Sequence, residues 1–303
     1  MKKKKEILCT LGPSSLNKKF LKFANKKISL LRLNMSHINV KKLEQTIKFI
    51  RKFSNVPICI DTEGAQIRTK TGKKKYCIVN QKLTIYKDSG NFRIYPSEIF
   101  SQLKKKDKLD IGTDGLKIEI IKRAKNKLIC KILNSGLLEN NKGVHLINRK
   151  IKLNFITKKD AKAINIAKKM KINHFALSFT NSKNDISKFN KLLANKERIF
   201  KIETQSAINN LNQIISAGKN FLIDRGDLSK DIGIENIPVA QRKIFKKSKK
   251  FKNIKIAIAT NFLETMIKNP YPTRAEVNDI YNSLEMGASS LVLAGETAMG
   301  SHP

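Results

Sequence analysis

Along this chain, short apolar runs of strand length alternate with longer stretches whose apolar positions recur at helical spacing. Short apolar runs bounded by polar residues and turn formers mark strands buried on both faces. They fall at Glu6–Leu11, Ile28–Asn34, Pro57–Asp61, His174–Phe179, Arg198–Glu203, Phe221–Asp224, Lys255–Thr260 and Ser290–Ala294. Helical periodicity fills Val40–Phe53, Lys158–Met170, Asp185–Asn195, Ala207–Ala217 and Ala240–Lys250. The segment PTRAEVNDIYNSLEMG predicts a further helix, with Thr273 as N-cap, Glu276 closing a capping box and Gly287 at its end. Strands alternating with helices in this way predict an α/β fold, a parallel (β/α)8 TIM barrel.

One interval breaks the rhythm. From about Thr71 to Leu153 the pattern turns strand-like and turn-rich, as in KLTIYKDSGNFRIY, DKLDIGTDGLKIEI and KLICKILNSG. This predicts a small antiparallel β domain over 71–152, inserted after the third strand, with 1–70 and 153–303 forming the barrel. A structureless loop of roughly 80 residues is improbable inside a compact domain. The chain stops at Pro303, just after the eighth strand, so the last barrel helix is expected to be missing. An uncovered eighth strand would expose apolar surface, suiting a homo-oligomer contact or a partner chain.

The 303 residues hold 62 Lys plus Arg against 24 Asp plus Glu, a formal charge of +38. Only ten of the basic residues are arginine, the 52 lysines are spread end to end, and there is no tryptophan. A nucleic-acid reader uses arginine forks and stacked aromatics, so the charge reads as a solvated lysine surface without a specific nucleic-acid partner. Such a field still attracts anions such as phosphates. Cys9, Cys59, Cys77 and Cys130 have no ligand spacing. The opening MKKKKEILCTLGPSSL copies a signal peptide only superficially, because Glu6 and Gly12-Pro13 interrupt its apolar stretch. No run approaches the roughly 20 apolar residues of a spanning helix. A cytoplasmic protein with no membrane partner is expected.

Polar residues gather at the C-terminal ends of the predicted strands, where a barrel carries its chemistry. RLNMSH sets Arg32, Asn34 and Ser36 on one face, since residues two apart in a strand share a face. DTEG supplies Asp61, and IRT brings Arg68. FKIET aligns Lys201 with Glu203, DRGD aligns Arg225 with Asp227, AIAT ends in Thr260, and LAGET carries Glu296. Glu203 and Asp227 suit a hard cation, with Glu296 as an acidic neighbour, while Arg32, Arg68 and Lys201 suit phosphate or carboxylate. Phosphoryl transfer needs that mixture, because positioning and charge neutralisation do most of its work. One such pair is a surface ion pair at a strand end; six converging strand ends are not.

These segments resemble the pyruvate kinase family over essentially the whole chain. CTLGPSS resembles its CT-GP-S opening, LLRLNMSH its R-N-SH segment, and IDTEGAQIRT its LDTKGPEIRT. FKIET and LIDRGDLS resemble K-I-E and ARGDLG. IATNFLETMIKNPYPTRAEVNDI resembles the ATQMLESMI…PTRAEVSDV block, and LVLAGETAMGSHP the LSGETA-G-YP block. GTDGL and NNKGVHL fall where the family's mobile lid has DDGL and KKGVNLP.

The resemblance implies transfer of the phosphoryl group of phosphoenolpyruvate to ADP. It implies that Glu203 and Asp227 hold Mg²⁺, and that Lys201 stabilises the transferring phosphoryl group and the enolate. Gly226 and Asp227 would offer backbone N–H groups to the substrate carboxylate. Thr260 would contact that carboxylate and help relay a proton. Arg32 would bind the phosphoryl group, and Arg68 and Lys142 the nucleotide phosphates. Asn34, Ser36, Asp61 and the Thr62 carbonyl match the K⁺ site. The lid would close over the nucleotide and exclude water.

Several residues depart from the family pattern. The acidic residue of GPEIRT, linked to K⁺ dependence, is Gln66, so that dependence stays open; the preceding Lys is Glu63. The small hydroxyl of LSGET is Ala294, and ATQ is ATN at Asn261. The family's C-terminal regulatory domain is not in this sequence, so no effector regulation of the usual kind is expected. Three readings follow: a short working pyruvate kinase, a relative acting on another enol phosphate in a specialised pathway, and a non-catalytic binding protein of the same fold.

Overall fold

The computed structural model describes residues 5–112, 115–149, 151 and 153–303. Thr113 and Asp114 of the GTDGL stretch, and the expected insertion boundary at Lys152, lie outside the described residues. The chain forms two units, Met1–Gly64 with Lys158–Pro303, and Ala65–Thr157.

The first unit is a closed parallel barrel of eight strands: Glu6–Thr10, Leu30–Asn34, Ile58–Asp61, His174–Leu177, Glu197–Ile202, Asn220–Asp224, Lys255–Ala259 and Ser290–Leu293. The first strand pairs with the last, Cys9 opposite Leu293, which closes the ring. All eight lie on the predicted runs, with ends differing by a residue or two. An inner layer of Leu8, Leu30, Cys59, Ala176, Leu222, Ala257 and Val292, with Ile199 packed against it, fills the barrel. Two residues further along five of these strands, on the same face, stand Thr10, Arg32, Asp61, Lys201 and Asp224, with Ser178 just past the end of the fourth strand and Ala259 still in the apolar layer. The interior therefore turns from apolar to polar within one step at its C-terminal end.

Helices cover the outside. Leu43–Phe53 buries Leu43, Ile47 and Ile50, one apolar stripe at helical spacing. The stretch predicted as one helix over Ala207–Ala217 is two, Gln205–Asn209 and Leu211–Ala217. The break is at Asn210, whose side chain donates to the Asn181 carbonyl at 2.9 Å. The capping box of Thr273 and Glu276 forms as the sequence predicts, opening Arg274–Glu285. After the eighth strand comes a short helix, Gly295–Met299. The outward-facing Leu291 and Leu293 are only half-buried, whereas Ile223 and Ile258 on neighbouring strands are fully buried. Among the described residues, no helix is long and apolar enough to cross a membrane.

The chain leaves and re-enters this barrel at one place. The buried carboxylate of Asp160, in the first turn of Lys158–Lys169, accepts the Glu63 N–H at 2.7 Å and the Gly64 N–H at 3.1 Å. Gly64 takes φ +74°, and a Cβ there would meet the Ser178 Cβ at 2.6 Å, so only glycine fits the turn.

The second unit is a closed barrel of seven strands, in the order Lys127–Asn134, Lys82–Tyr86, Phe92–Tyr95, Ile67–Thr71, Gly143–Leu146, Lys108–Ile111, Leu116–Arg123. Lys75–Cys77 pairs separately with Gly136–Leu138. Alternation of buried and half-buried residues, as along Leu116–Arg123, sends one face into a core that includes Ile85, Phe92, Phe100 and Ile118. Two expectations are corrected. The unit is not wholly antiparallel, because Lys82–Tyr86 and Phe92–Tyr95 pair in parallel at Tyr86 and Arg93. It also begins before Thr71, because Ile67–Thr71 pairs on both sides within it and takes the boundary back to Gly64 and Ala65.

Candidate active site

The polar end of the first barrel gathers most of the residues singled out from sequence. Arg32 and Lys201 stand on the second and fifth strands and are nearly inaccessible, at 6% and 3% exposure. Arg32 donates through Nε to Asp61 Oδ2 at 2.7 Å and through Nη1 to Thr10 Oγ1 at 2.9 Å. Its Nη2 lies 2.5 Å from the same Asp61 oxygen. The Lys201 ammonium is ringed by carboxylates, with Glu203 Oε1 at 2.7 Å, Asp224 Oδ2 at 3.1 Å and Asp61 Oδ2 at 3.3 Å.

The electrostatics follow from burial against charge. Burial alone would lower the pKa of Lys201, but Asp61, Glu203 and Asp224 outweigh it and hold the ammonium protonated, well above the usual lysine range. Burial likewise works against the Arg32 guanidinium, and Asp61 and Asp224 reverse it. Glu203 moves the other way. Burial, helped by Asp224 and Asp227, pushes its carboxyl up to about 8 in spite of Lys201. Asp224 falls below the usual carboxylate range: burial opposes this, but Lys201, Arg32 and the Thr260 hydroxyl overcome it.

Glu203, Asp224 and Asp227 each turn a carboxylate oxygen to a common point, these atoms lying within 4.8 Å of one another. Asp61, Glu203 and Asp224 face the two buried cations and Asp227 joins the cluster from beside them, and a set of hard oxygen donors of this kind fits a divalent cation such as Mg²⁺. The sequence reading had missed Asp224. Its signal was available: it is two residues beyond the interior Leu222, and it stands where the ARGDLG motif carries alanine.

Arg225 and Asp227 do not share a strand face as the sequence suggested. The strand ends at Asp224, and Arg225–Ile232 is a helix, which puts Gly226 and Asp227 in its first turn. Backbone N–H groups there lack intrahelical acceptors and face outward for an anion. Asp227 pairs with Lys230 at 3.0 Å. A Cβ on Gly226 would meet the Thr260 Cγ2 at 2.9 Å, so the close approach of the two loops requires glycine.

Strained backbone collects around the same ring. Phe179, Thr260 and Asn261 all have positive φ, 53°, 81° and 61°, a costly conformation for an aromatic or β-branched residue. At Phe179 it accompanies an N–H donated to Glu203 Oε2 at 2.5 Å. Thr260 is held from two sides: its hydroxyl donates to Asp224 Oδ1 at 2.7 Å, and its carbonyl accepts from Arg225 Nε at 3.0 Å.

Asn34, Asp61 and Thr62 sit together, Asn34 opposite Asp61 in the strand register. Asn34 Oδ1 accepts the Ser36 N–H at 3.0 Å, and Ser36 itself lies beyond the strand end. The Ser178 hydroxyl, which sequence reasoning had passed over, lies 2.7 Å from the Thr62 carbonyl and 3.2 Å from Asp61 Oδ1. Glu63 pairs with Lys159 at 3.1 Å. Glu296 is not among the clustered carboxylates Glu203, Asp224 and Asp227; it is spent on backbone, accepting the Ala294 and Leu263 N–H groups at 2.7 and 3.0 Å. Asn261 is exposed and donates to Glu264.

Arg68 and Lys142 belong to the second unit, on neighbouring stretches, with Arg68 in register with Gly143. Arg68 Nη1 donates to the Asn141 carbonyl at 3.2 Å, and Lys142 pairs with Glu139 at 3.0 Å. Gln66 is buried in that unit.

Comparison with known proteins points one way. The model for the pyruvate kinase barrel domain matches residues 2–303. A pyruvate kinase of Borreliella burgdorferi is 32% identical over 91% of this chain and 60% of its own length. That of Staphylococcus saprophyticus is 32% identical over 99% and 55%, and that of Thermotoga maritima 31% identical over 98% and 67%. The chain thus spans between about half and two thirds of the length of these curated relatives.

Proposed function

The chain belongs to the pyruvate kinase family, and from that premise we propose that it transfers the phosphoryl group of phosphoenolpyruvate to ADP, giving pyruvate and ATP. The observation that carries this reading is Lys201, a buried, permanently charged ammonium set between Asp61, Glu203 and Asp224 beside a carboxylate cluster suited to a divalent cation. A fixed cation in a water-poor site is worth most where negative charge develops during reaction. Here that charge develops on the phosphoryl oxygens and on the enolate oxygen left behind.

In this reading an oxygen of the ADP terminal phosphate forms the new P–O bond while the bond from phosphorus to the enol oxygen breaks. Lys201 and Arg32 neutralise the phosphoryl group in flight, and Lys201 also stabilises the enolate. The first-turn N–H groups of Gly226 and Asp227 bind the substrate carboxylate, and the Thr260 hydroxyl sits by the enolate carbon that takes up a proton. Glu203 and Asp227 would hold Mg²⁺, which when bound supplies Lewis-acid neutralisation of the substrate oxygens. Asn34, Ser36, Asp61 and the Thr62 carbonyl offer the oxygen donors a K⁺ site needs, and Arg68 and Lys142 are assigned to the nucleotide phosphates. A cytoplasmic location is part of this reading.

The test is pyruvate formation from phosphoenolpyruvate and ADP with Mg²⁺, with and without K⁺, beside a Lys201→Met control. Turnover that disappears in the control supports the reading. A folded protein that binds Mg²⁺ but makes no pyruvate rejects it, and other enol phosphates become the substrates to try. A K⁺-independent rate would assign no essential cation to the Asn34–Asp61 oxygens.

A further inference from the structure

Asp224 is a buried carboxylate in contact with two groups central to the reaction proposed above. Its Oδ2 lies 3.1 Å from the Lys201 ammonium, and its Oδ1 accepts the Thr260 hydroxyl at 2.7 Å. Both of its oxygens are therefore engaged by the site, and neither is turned to bulk solvent. The resembling ARGDLG motif has alanine here, a side chain that can make neither contact.

We propose that Asp224 is a positioning residue that ties the phosphoryl-transfer group, Lys201, to the proton-handling group, Thr260, through one carboxylate. The inference rests on the pyruvate kinase reading. A hydroxyl carries a single proton, and that of Thr260 is committed to Asp224. What Thr260 offers a bound substrate is then its lone pairs, aimed in one direction. The threonine is otherwise poorly placed to hold that aim. Its backbone sits at φ +81°, a region a β-branched residue leaves unless neighbours over-determine it. Arg225 fixes the carbonyl of Thr260 and leaves its side chain free; the side chain is fixed by Asp224. Lys201 keeps two further carboxylates and the Ser178 hydroxyl without Asp224, but loses one of four directions of restraint.

The two oxygens make separable predictions. Asp224→Asn keeps an acceptor for Thr260 and removes the charge beside Lys201, whereas Asp224→Ala removes both. The experiment compares wild type and the two variants in three measurements: pyruvate formation, exchange of pyruvate methyl protons for deuterium with Mg²⁺ and inorganic phosphate, and the crystal structure of each protein without substrate. Because Asp224 also belongs to the carboxylate cluster, each variant is assayed at saturating Mg²⁺; in Asp224→Ala both reactions are then expected to fall by about tenfold or more in kcat with the KM for phosphoenolpyruvate little changed, because the lost contacts orient Lys201 and Thr260 and do not hold that substrate. In Asp224→Asn methyl exchange is expected to recover to within about threefold of wild type while phosphoryl transfer stays reduced. The crystal structures are expected to keep Thr260 Oγ1 on residue 224 in the Asn variant and to release it in the Ala variant.

Equal exchange rates in the two variants, or an unmoved Thr260 hydroxyl in Asp224→Ala, would overturn the proposal. Wild-type protein that makes no pyruvate would instead remove the reading beneath it, and the crystal structures would still decide whether Asp224 positions Thr260.

Discussion

Arg225 donates to the carbonyl oxygen of Thr260 from the first turn of the helix Arg225–Ile232, with its guanidinium carbon 4.3 Å from the centre of the Phe262 ring and Nη1 2.7 Å from Asp279. One planar fork thus holds a strained backbone, stacks on an aromatic face and pairs with a carboxylate. Lysine cannot do all three. Arg225→Lys is expected to lower stability by about 1–3 kcal/mol, the range for releasing one strained residue and its stacking contact. Urea denaturation of the two proteins gives the difference directly; a shift within error would mean that Thr260 keeps its conformation without the clamp.

Gly226→Ala is expected to damage the site and spare the fold. The added methyl would meet the Thr260 methyl at 2.9 Å, which real Cβ contacts do not reach, so the Thr260 side chain or the helix turn carrying Gly226 must move. A displacement of that kind at a positioned group costs on the order of a hundredfold in rate. The variant is expected to match wild type in circular dichroism and to lose kcat; unchanged kinetics would show that the Thr260 loop yields freely.

The raised Glu203 carboxyl ties metal binding to pH. Its proton, held up to about 8 by burial and by Asp224 and Asp227, must leave before a divalent cation is bound. Mg²⁺ affinity is therefore expected to rise by up to ~tenfold per pH unit below about 8 and to level off above it, with one proton released per ion bound. In the metal-free protein the sign for stability is opposite to that of a paired carboxylate. The folded state holds this proton where the unfolded chain has lost it, so stability from this group declines as pH rises from about 4.5 towards 8. Calorimetric titrations in buffers of different ionisation enthalpy count the protons, and affinity flat across this range would contradict the assignment.

Glu276 closes a capping box and reaches further, accepting the Thr265 N–H at 2.8 Å and the Thr273 N–H at 2.7 Å. Its carboxyl is low, at about 2: burial opposes the shift, and the bonds from Thr265 and Thr273 overcome it. A depressed carboxylate stabilises above its unfolded value and loses that contribution as pH falls from about 4.5 through about 2. Glu276→Ala is expected to cost about 1–2 kcal/mol at neutral pH, as loss of a helix cap does, with the gap to wild type closing in acid. Thermal melts at the two ends of the range test it; a gap independent of pH would place the effect in packing.

Much of the barrel was legible because its strands are buried on both faces and read as isolated apolar runs, such as Lys255–Ala259 and Asn220–Asp224. Lys201 and Glu203 were legible because strand periodicity carries the interior face onto the active end. The same rule, extended from Leu222, would have found Asp224, which was instead taken as the last residue of a strand. It failed one residue later because the backbone changes from extended to helical at Arg225, and two-residue spacing no longer means a shared face. Ser178 and the pairing of Glu63 with Lys159 depend on distant parts of the chain meeting, and no local pattern carries that information. The edge of the insertion was misread for a related reason: Ile67–Thr71 is a strand in either unit, and only its partners assign it.

The Asp160 clasp gives the barrel an unusual architectural freedom. Because one carboxylate of the re-entering helix fastens the departing turn at Glu63 and Gly64, the two ends of the inserted segment are brought together by the barrel itself. Whatever lies between them costs the barrel one loop closure, a quantity that grows only slowly with length. The insertion is in this sense a cassette: its length and internal design can be revised in evolution, or replaced by the engineer, while the socket that receives it stays the same.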